Sequence, residues 1–478
     1  VPDAVIFDLG AESLLHLALL PVRAHEPRKG RSISSTDVII IGAGAAGLAA
    51  AQVLSGRGRR LVILEARNRL GGRILTHRER SAGMPIELGA EFVHGRPEVT
   101  WRLLREAGLA AVDLPFNHRV RRHGKLVELP DTDSELHEVF SGLAHLGRRD
   151  MSFGEYLRRH AGKASKDALR FAISFVEGFD AADPERISAQ SLAEEQKGIG
   201  NVDDETQFRL VNGYGALVEH LHRSLDPKGV KFCLQQRVEE IRWRRGAVEA
   251  SASGAGGKKV YRAARAIITL PLGILQLGPE SKGAVRFSPD IAEKRKAAMG
   301  LVSGPIVKAV LQFREPFWED KAVIKAARAG KELSEMVFLH AGESPFPTWW
   351  TLRPMRLPVL IAWAGGPRAV ALAGKSRAQL RERALRSLAD LFPISAKKLG
   401  AMLSGFDCHD WVSDEFSRGA YSYVAVGGMN ARKKLSEPVA NTLFFAGEAV
   451  DTSGQASTVA GALASGQRAA LQVLGRKK

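Results

Sequence analysis

Residues Val38-Ile39-Ile40-Ile41 run directly into Gly42-Ala43-Gly44-Ala45-Ala46-Gly47, followed by the alanine-rich, helix-favouring stretch Leu48 to Leu54. An unbroken apolar run ending in glycines and then a helix is the signature of a buried strand, a tight turn and a helix packed back on the sheet. Gly42 permits the turn, Gly44 lets the backbone approach a pyrophosphate, and Gly47 allows close helix–strand packing. The first helical turn, with Ala46 in it, supplies N–H groups and partial positive charge to an anion. A second apolar strand, Leu61-Val62-Ile63-Leu64, ends in Glu65, where a carboxylate can accept hydrogen bonds from both hydroxyls of an adenosine ribose. The unit is a complete βαβ crossover, so the chain begins as an α/β dinucleotide-binding fold.

After Glu65 the sequence continues Ala66-Arg67-Asn68-Arg69-Leu70-Gly71-Gly72-Arg73. The pair Gly71 and Gly72 makes a second turn that approaches the cofactor, while Arg67 and Arg73 can neutralise its two phosphates. A nicotinamide cofactor needs no such second clamp. The run from Glu65 to Arg73 resembles the extended fingerprint of the flavin-containing amine oxidases, the family of monoamine oxidases, polyamine oxidases, lysine-specific histone demethylases and L-amino-acid oxidases. Further blocks follow in the family's order. Glu87 to Gly95, with Gly89, Ala90, Glu91 and Phe92, resembles the loop that passes the flavin. Phe208 to Leu217 resembles the return to the cofactor domain, and Val238 the strand position that reads adenine. Ala266 to Leu275 resembles the strand and exit loop. Leu443 to Glu448 and the helix opening at Thr458 and Val459 resemble the last FAD-binding block.

The resemblance implies an α/β fold, with a Rossmann-type FAD-binding domain interleaved with an α+β substrate-binding domain in an amine oxidase or glutathione-reductase-like two-domain architecture. FAD-binding segments are expected at 36–115, 211–290 and 432–478, and substrate-binding segments at 116–210 and 291–431. It places Glu448 by the ribityl and phosphate groups and aims the N-terminus of the Thr458 helix at the flavin pyrimidine, where reduction leaves negative charge. It gives Lys308, the one lysine of an otherwise apolar strand pattern, a water-mediated bond to flavin N5. Trp411 packs beside the flavin, and Tyr421 forms one wall of an aromatic cage that orients an amine. Thr458 stands where many relatives have a second cage tyrosine. His94 stands in the flavin loop, able to bond a substrate nitrogen or assist its deprotonation. Ala420 occupies the position of the cysteine that attaches FAD in monoamine oxidases, so noncovalent FAD is expected.

The implied reaction is hydride transfer from the α-carbon of an amine, polyamine or monoamine, to flavin N5. Hydrolysis of the imine and reoxidation by O2 to hydrogen peroxide complete it. Three alternatives stay open: an L-amino-acid oxidase, with Arg353 or Arg356 as the carboxylate clamp, a flavin amine dehydrogenase, and a non-catalytic flavin-binding scaffold. Glu91 and Glu177 are the candidate acids of a tunnel for polyamines. The expected enzyme is a stand-alone, bacterial-type member, because no long helical insertion interrupts the blocks.

Composition narrows the partners. The formal net charge is +17, but Lys and Arg are scattered without a sustained block, so nucleic acid is not expected as a partner. The two cysteines, Cys233 and Cys408, have no spacing for zinc or a redox dithiol. No metal site is expected, and a cytoplasmic location is. No apolar stretch reaches the roughly 18 residues of a membrane span. Residues 1–35 join an acidic start (Asp3, Asp8) to a short apolar piece, Leu14 to Val22, and are read as an extension that is not a signal peptide.

Overall fold

A computed structural model of the chain describes residues 36–78, 84–115, 117–122, 125–128, 139–146, 149–162, 164–199 and 206–475. The expected extension, residues 1–35, lies outside them. Strand β1 (Thr36–Ile41), helix α1 (Ala45–Ser55) and strand β2 (Leu61–Leu64) form the first crossover. The two strands are parallel, with Val38 opposite Leu61 and Ile41 opposite Leu64. Val38 and Ile40 enter the core beneath α1, while Ile39 and Ile41 enter a second core on the other face of the sheet. Burial on both faces is why this strand is apolar at every position rather than at alternate ones.

The sheet built on this crossover has eight strands. Its order is Val230–Cys233, β2, β1, Gly257–Ile268, Ala247–Gly254, Arg237–Arg244 and Arg286–Ser288, and Leu443–Phe445 pairs in parallel with Gly257–Ile268. The C-terminal helix Val459–Val473 packs on α1 through small residues. Gly466 lies so close that a Cβ there would fall 2.2 Å from the Ala46 carbonyl oxygen.

A second, seven-stranded sheet contains β3 (His118–Arg122), β4 (Ile306–Phe313), β5 (Phe338–His340), β6 (Thr348–Thr351) and β7 (Val359–Gly365). From one edge it runs Leu403–Asp410, β4, β7, β6, β5, β3, Lys125–Glu128. Every residue of β4 is buried. Helix α2 (Lys166–Phe179) is N-capped by Ser165, whose hydroxyl accepts from Ala168 N–H, and it buries Ala168, Ala172 and Val176 at helical spacing. Its C-terminal end meets the second sheet: Trp363 on β7 donates its indole N–H to the Gly178 carbonyl at 2.8 Å. Strands of the first sheet fall within 36–115, 211–290 and 432–478, and those of the second within 116–210 and 291–431. Among the described residues no helix is long and apolar enough to cross a membrane.

Candidate active site

One continuous cavity of about 1280 Å³ is walled by residues of both sheets. It exceeds the roughly 300–1,000 Å³ of a pocket for one drug-sized ligand, which suits a large cofactor and a substrate together. The FAD-binding residues named above, together with Lys308, His94, Trp411 and Tyr421, all line it except Gly47. That exception is physical, since a Cβ on Gly47 would lie 2.0 Å from the Gly42 carbonyl oxygen. Gly47 serves packing, as its place in the motif predicts, and touches no ligand space.

The cradle at the first crossover is held from within. Gly42 has φ +105°, and the chain turns there into α1. Glu65, buried, accepts from Ala43 N–H at 2.8 Å and Arg67 N–H at 2.9 Å, so it braces both glycine turns. Gly71 N–H donates to the Ala43 carbonyl at 2.9 Å, docking the second turn on the first. At Gly44 a Cβ would meet no protein atom nearer than 3.8 Å, although the N-terminus of α1 opens beside it. The protein therefore leaves room where a dinucleotide backbone would pass. Arg67 pairs with Asp414 at 2.6 Å and donates to Ser417 at 3.0 Å, and Arg73 pairs with Glu448 at 2.7 Å. Glu448 also accepts from the Ser422 hydroxyl at 2.7 Å. Burial opposes the Glu448 charge, but Arg73 and Arg432 hold its carboxyl below the usual range. Thr458 caps the C-terminal helix, its hydroxyl accepting from Gly461 N–H at 3.1 Å. FAD fits this set: glycine turns, a helix N-terminus, a strand-end carboxylate and two arginines line one trough.

Lys308, far from the cradle in sequence, lines the same cavity from β4, and its side chain is 1% exposed. Its ammonium donates to Glu91 Oε2 at 2.6 Å and to the Gly89 carbonyl at 3.2 Å. Glu91 Oε1 accepts from Arg209 Nη2 at 3.0 Å and from the Trp350 indole N–H at 3.0 Å. Burial alone would neutralise Glu91; the two cations override it and keep the carboxyl below its usual range. Two cations against one anion leave a buried net positive charge on the cavity wall. Glu87, nearby, takes the opposite course. Burial pushes its carboxyl up to about 7, against hydrogen bonds from Thr76 and Tyr214.

Around Lys308 the walls are aromatic. The Trp411 indole N–H is fixed by the Leu88 carbonyl at 2.9 Å, and the Tyr421 hydroxyl by the Phe179 carbonyl at 2.7 Å. His94 packs edge-on to Phe179 with centroids 5.6 Å apart, and burial lowers its pKa to about 4, leaving a neutral imidazole. Sequence reasoning missed Phe179 and Trp363, which come from α2 and β7. It also missed three acids on the wall, Asp180, Glu194 and Glu195. Burial and the neighbouring Glu195 push the Asp180 carboxyl well above the usual carboxylate range, and Asp180 in turn raises Tyr421 after burial has done so. A cationic nitrogen there would favour the ionised acid.

Three expectations are corrected. Glu177 is not a cavity acid, because it faces away and pairs with Arg368 at 2.9 Å. Asp180, the C-cap residue just past the end of α2, takes the place on the wall. Arg353 and Arg356 do not reach the cavity: Arg353 pairs with Glu319 and Glu335, and Arg356 with Glu319. The carboxylate of Glu91 belongs to Lys308 and Arg209 and is not a spare anchor for a polyamine.

A family model described as flavin containing amine oxidoreductase matches residues 45–474. Lysine-specific histone demethylase 2 of Homo sapiens is 26% identical over 98% of this chain, which spans only 57% of that protein. Polyamine oxidase 3 of Oryza sativa subsp. japonica is 29% identical, over 92% of this chain and 89% of that protein. Among solved structures, putrescine oxidase bound to putrescine superposes with a TM-score of 0.74 at 19% identity, covering 93% of this chain and 100% of that one. Cyclohexylamine oxidase from Brevibacterium oxydans superposes with a TM-score of 0.74 at 21% identity, covering 92% and 99%. These structural likenesses bear on the fold.

Proposed function

The chain belongs to the flavin-containing amine oxidoreductase family, and from that membership we propose that it is an FAD-dependent amine oxidase acting on a polyamine or monoamine. The observation that carries the reading is the continuity of one cavity from the Gly42–Gly47 turn to Lys308, Trp411 and Tyr421. When bound, FAD accepts hydride from the amine α-carbon and passes the electrons to O2 as peroxide, while water hydrolyses the imine. The protein's part is binding, orientation and charge. Glu65, Arg67, Arg73, Glu448, Val238 and the Thr458 helix terminus hold the cofactor. The residue segments 36–115, 211–290 and 432–478 form its domain, with the substrate domain at 116–210 and 291–431.

Asp180, Glu194 and Glu195 draw in a cationic amine. Tyr421, Phe179 and Trp411 shape the space around its nitrogen, and neutral His94 bonds it or takes its proton. Lys308, held by Glu91, supplies positive charge and fixes a water beside the reacting position. The FAD is noncovalent. Ala420 supports this, as do Cys233 and Cys408, neither of which lines the cavity. The test is oxygen uptake by the purified yellow protein with a set of amines. The reading requires peroxide and carbonyl product in equal amounts with oxygen consumed. Uptake with L-amino acids alone would move the assignment to the amino-acid oxidases.

A further inference from the structure

Beyond Lys308 the cavity continues along one face of the second sheet. Lys308 is paired directly with Trp363, Trp363 with Thr348 and Thr348 with His340, a row across β4, β7, β6 and β5. Directly paired residues share a face, and strands stand about 4.8 Å apart, so His340 is roughly 14 Å from Lys308 along the row. A second row on the same face carries Trp350, Phe338 and His118. Helix α2 covers this run. From Asp180, beside Tyr421, back to Phe171, which packs edge-on to His340 at 5.5 Å, nine residues of helix also span roughly 14 Å. The passage is ring-lined throughout: Trp350 lies 5.6 Å from Trp363 and 6.0 Å from Phe338, which lies 4.7 Å from His118.

The far end holds two imidazoles, His118 Nδ1 and His340 Nε2, 3.3 Å apart and hydrogen-bonded. Burial lowers His118 to about 4, and burial with His118 beside it lowers His340 to about 3, so both are neutral. Strands β3, β5 and β6 contain no carboxylate to meet a second ammonium. The acids of the wall stand at the other end, with Asp180.

We propose that this limb is a tail subsite selecting amines whose far end, reaching along the roughly 14 Å of sheet from Lys308 to His340, is an uncharged flat group able to hydrogen-bond, such as a phenol or an amide. The inference rests on the amine-oxidase reading and names the substrate class within it. A flat ring gains stacking against Trp350, Phe338 and Phe171, and His340, whose Nε2 is bonded to His118, offers its Nδ1 to a ligand hydrogen bond. Among the described residues of β3, β5 and β6, a terminal ammonium stripped of water would meet no carboxylate.

The test uses primary amines of equal length ending in a phenol, an amide, a methyl or a second ammonium, with anaerobic flavin reduction as one readout. A second readout is tryptophan emission on titration with an alkylphenol that lacks the amine, because Trp350 and Trp363 line the limb. The phenol and amide should bind about tenfold more tightly than the diamine, a ratio in line with one buried hydrogen bond. The His340→Phe variant should lose that discrimination, and the alkylphenol should quench emission in competition with the phenol-ended amine. Equal or better binding of the diamine, or undiminished discrimination in His340→Phe, would overturn the subsite. Flavin reduction by no amine would overturn the parent reading instead, while the alkylphenol titration would still report on the limb.

Discussion

The cofactor end and the substrate end of the cavity are built by different means. At the cofactor end, turns within residues 42–47 and 65–73 line the trough, and backbone groups do the bracing: Ala43 and Arg67 N–H on Glu65, Gly71 N–H on Ala43. At the substrate end side chains do the work, and they arrive from α2, β4, β6 and β7 and from the segments of His94, Trp411 and Tyr421, far apart along the chain. A site made of backbone must be written as glycines at fixed spacing. A site made of side chains on paired strands is written only in the register of those strands.

The sharpest break between the two ends is at the glycines. Gly47→Ala drives a methyl to 2.0 Å from the Gly42 oxygen and should leave no soluble folded protein. Gly44→Ala meets no protein atom nearer than 3.8 Å, so it should express and melt like the apoprotein but carry little flavin. Full flavin content in Gly44→Ala would mean that the cradle is not where the cofactor's backbone passes.

At the substrate end the largest effect should come from Glu91. Its replacement by Leu strands Lys308 and Arg209 in the interior, a loss of about 3–5 kcal/mol by denaturant unfolding. Glu91→Gln keeps the shape and one accepting oxygen but sets an amide NH2 against the donors on the other side, and it should cost less than Leu. Equal costs would show that the charge of Glu91 is the whole of what the two cations need and that its remaining hydrogen bonds add nothing.

Glu87 gives a pH signature of similar size. Its folded pKa, about 7, lies above the unfolded value, so the folded state binds the proton more tightly. Stability should therefore fall as pH rises from the unfolded pKa, about 4.5, to about 7, by about 3 kcal/mol in all. The slope should flatten in Glu87→Gln, measured as melting temperature against pH. An unchanged slope would assign it to other groups. The smallest effect expected is that of Tyr421→Phe. It removes the bond to Phe179 and should raise KM several-fold, about 1 kcal/mol, with flavin content unchanged.

These contrasts explain what could be read in advance. The crossover, Glu65 and the strand lysine were legible because each is local: a glycine spacing, a strand end, one charge in an apolar run. The identity of Glu91 was visible, but its partners were not, because Arg209, Lys308 and Trp350 lie 118, 217 and 259 residues away. Glu177 and Asp180 were separable only once the end of α2 and the Arg368 partner of Glu177 were in hand. Arg353 and Arg356 misled for the same reason: their nearest anions, Glu319 and Glu335, are on neighbouring segments of the fold that sequence does not pair. His118 and His340 met only when β3 joined β5 in parallel.

The most direct measurement is anaerobic mixing of the flavin-loaded protein with amines, following the yellow colour of the oxidised cofactor. The account predicts rapid bleaching by at least one cationic amine, with a weaker response once Asp180 is replaced by Asn. Firmly bound FAD that stays yellow with every amine tried would contradict it.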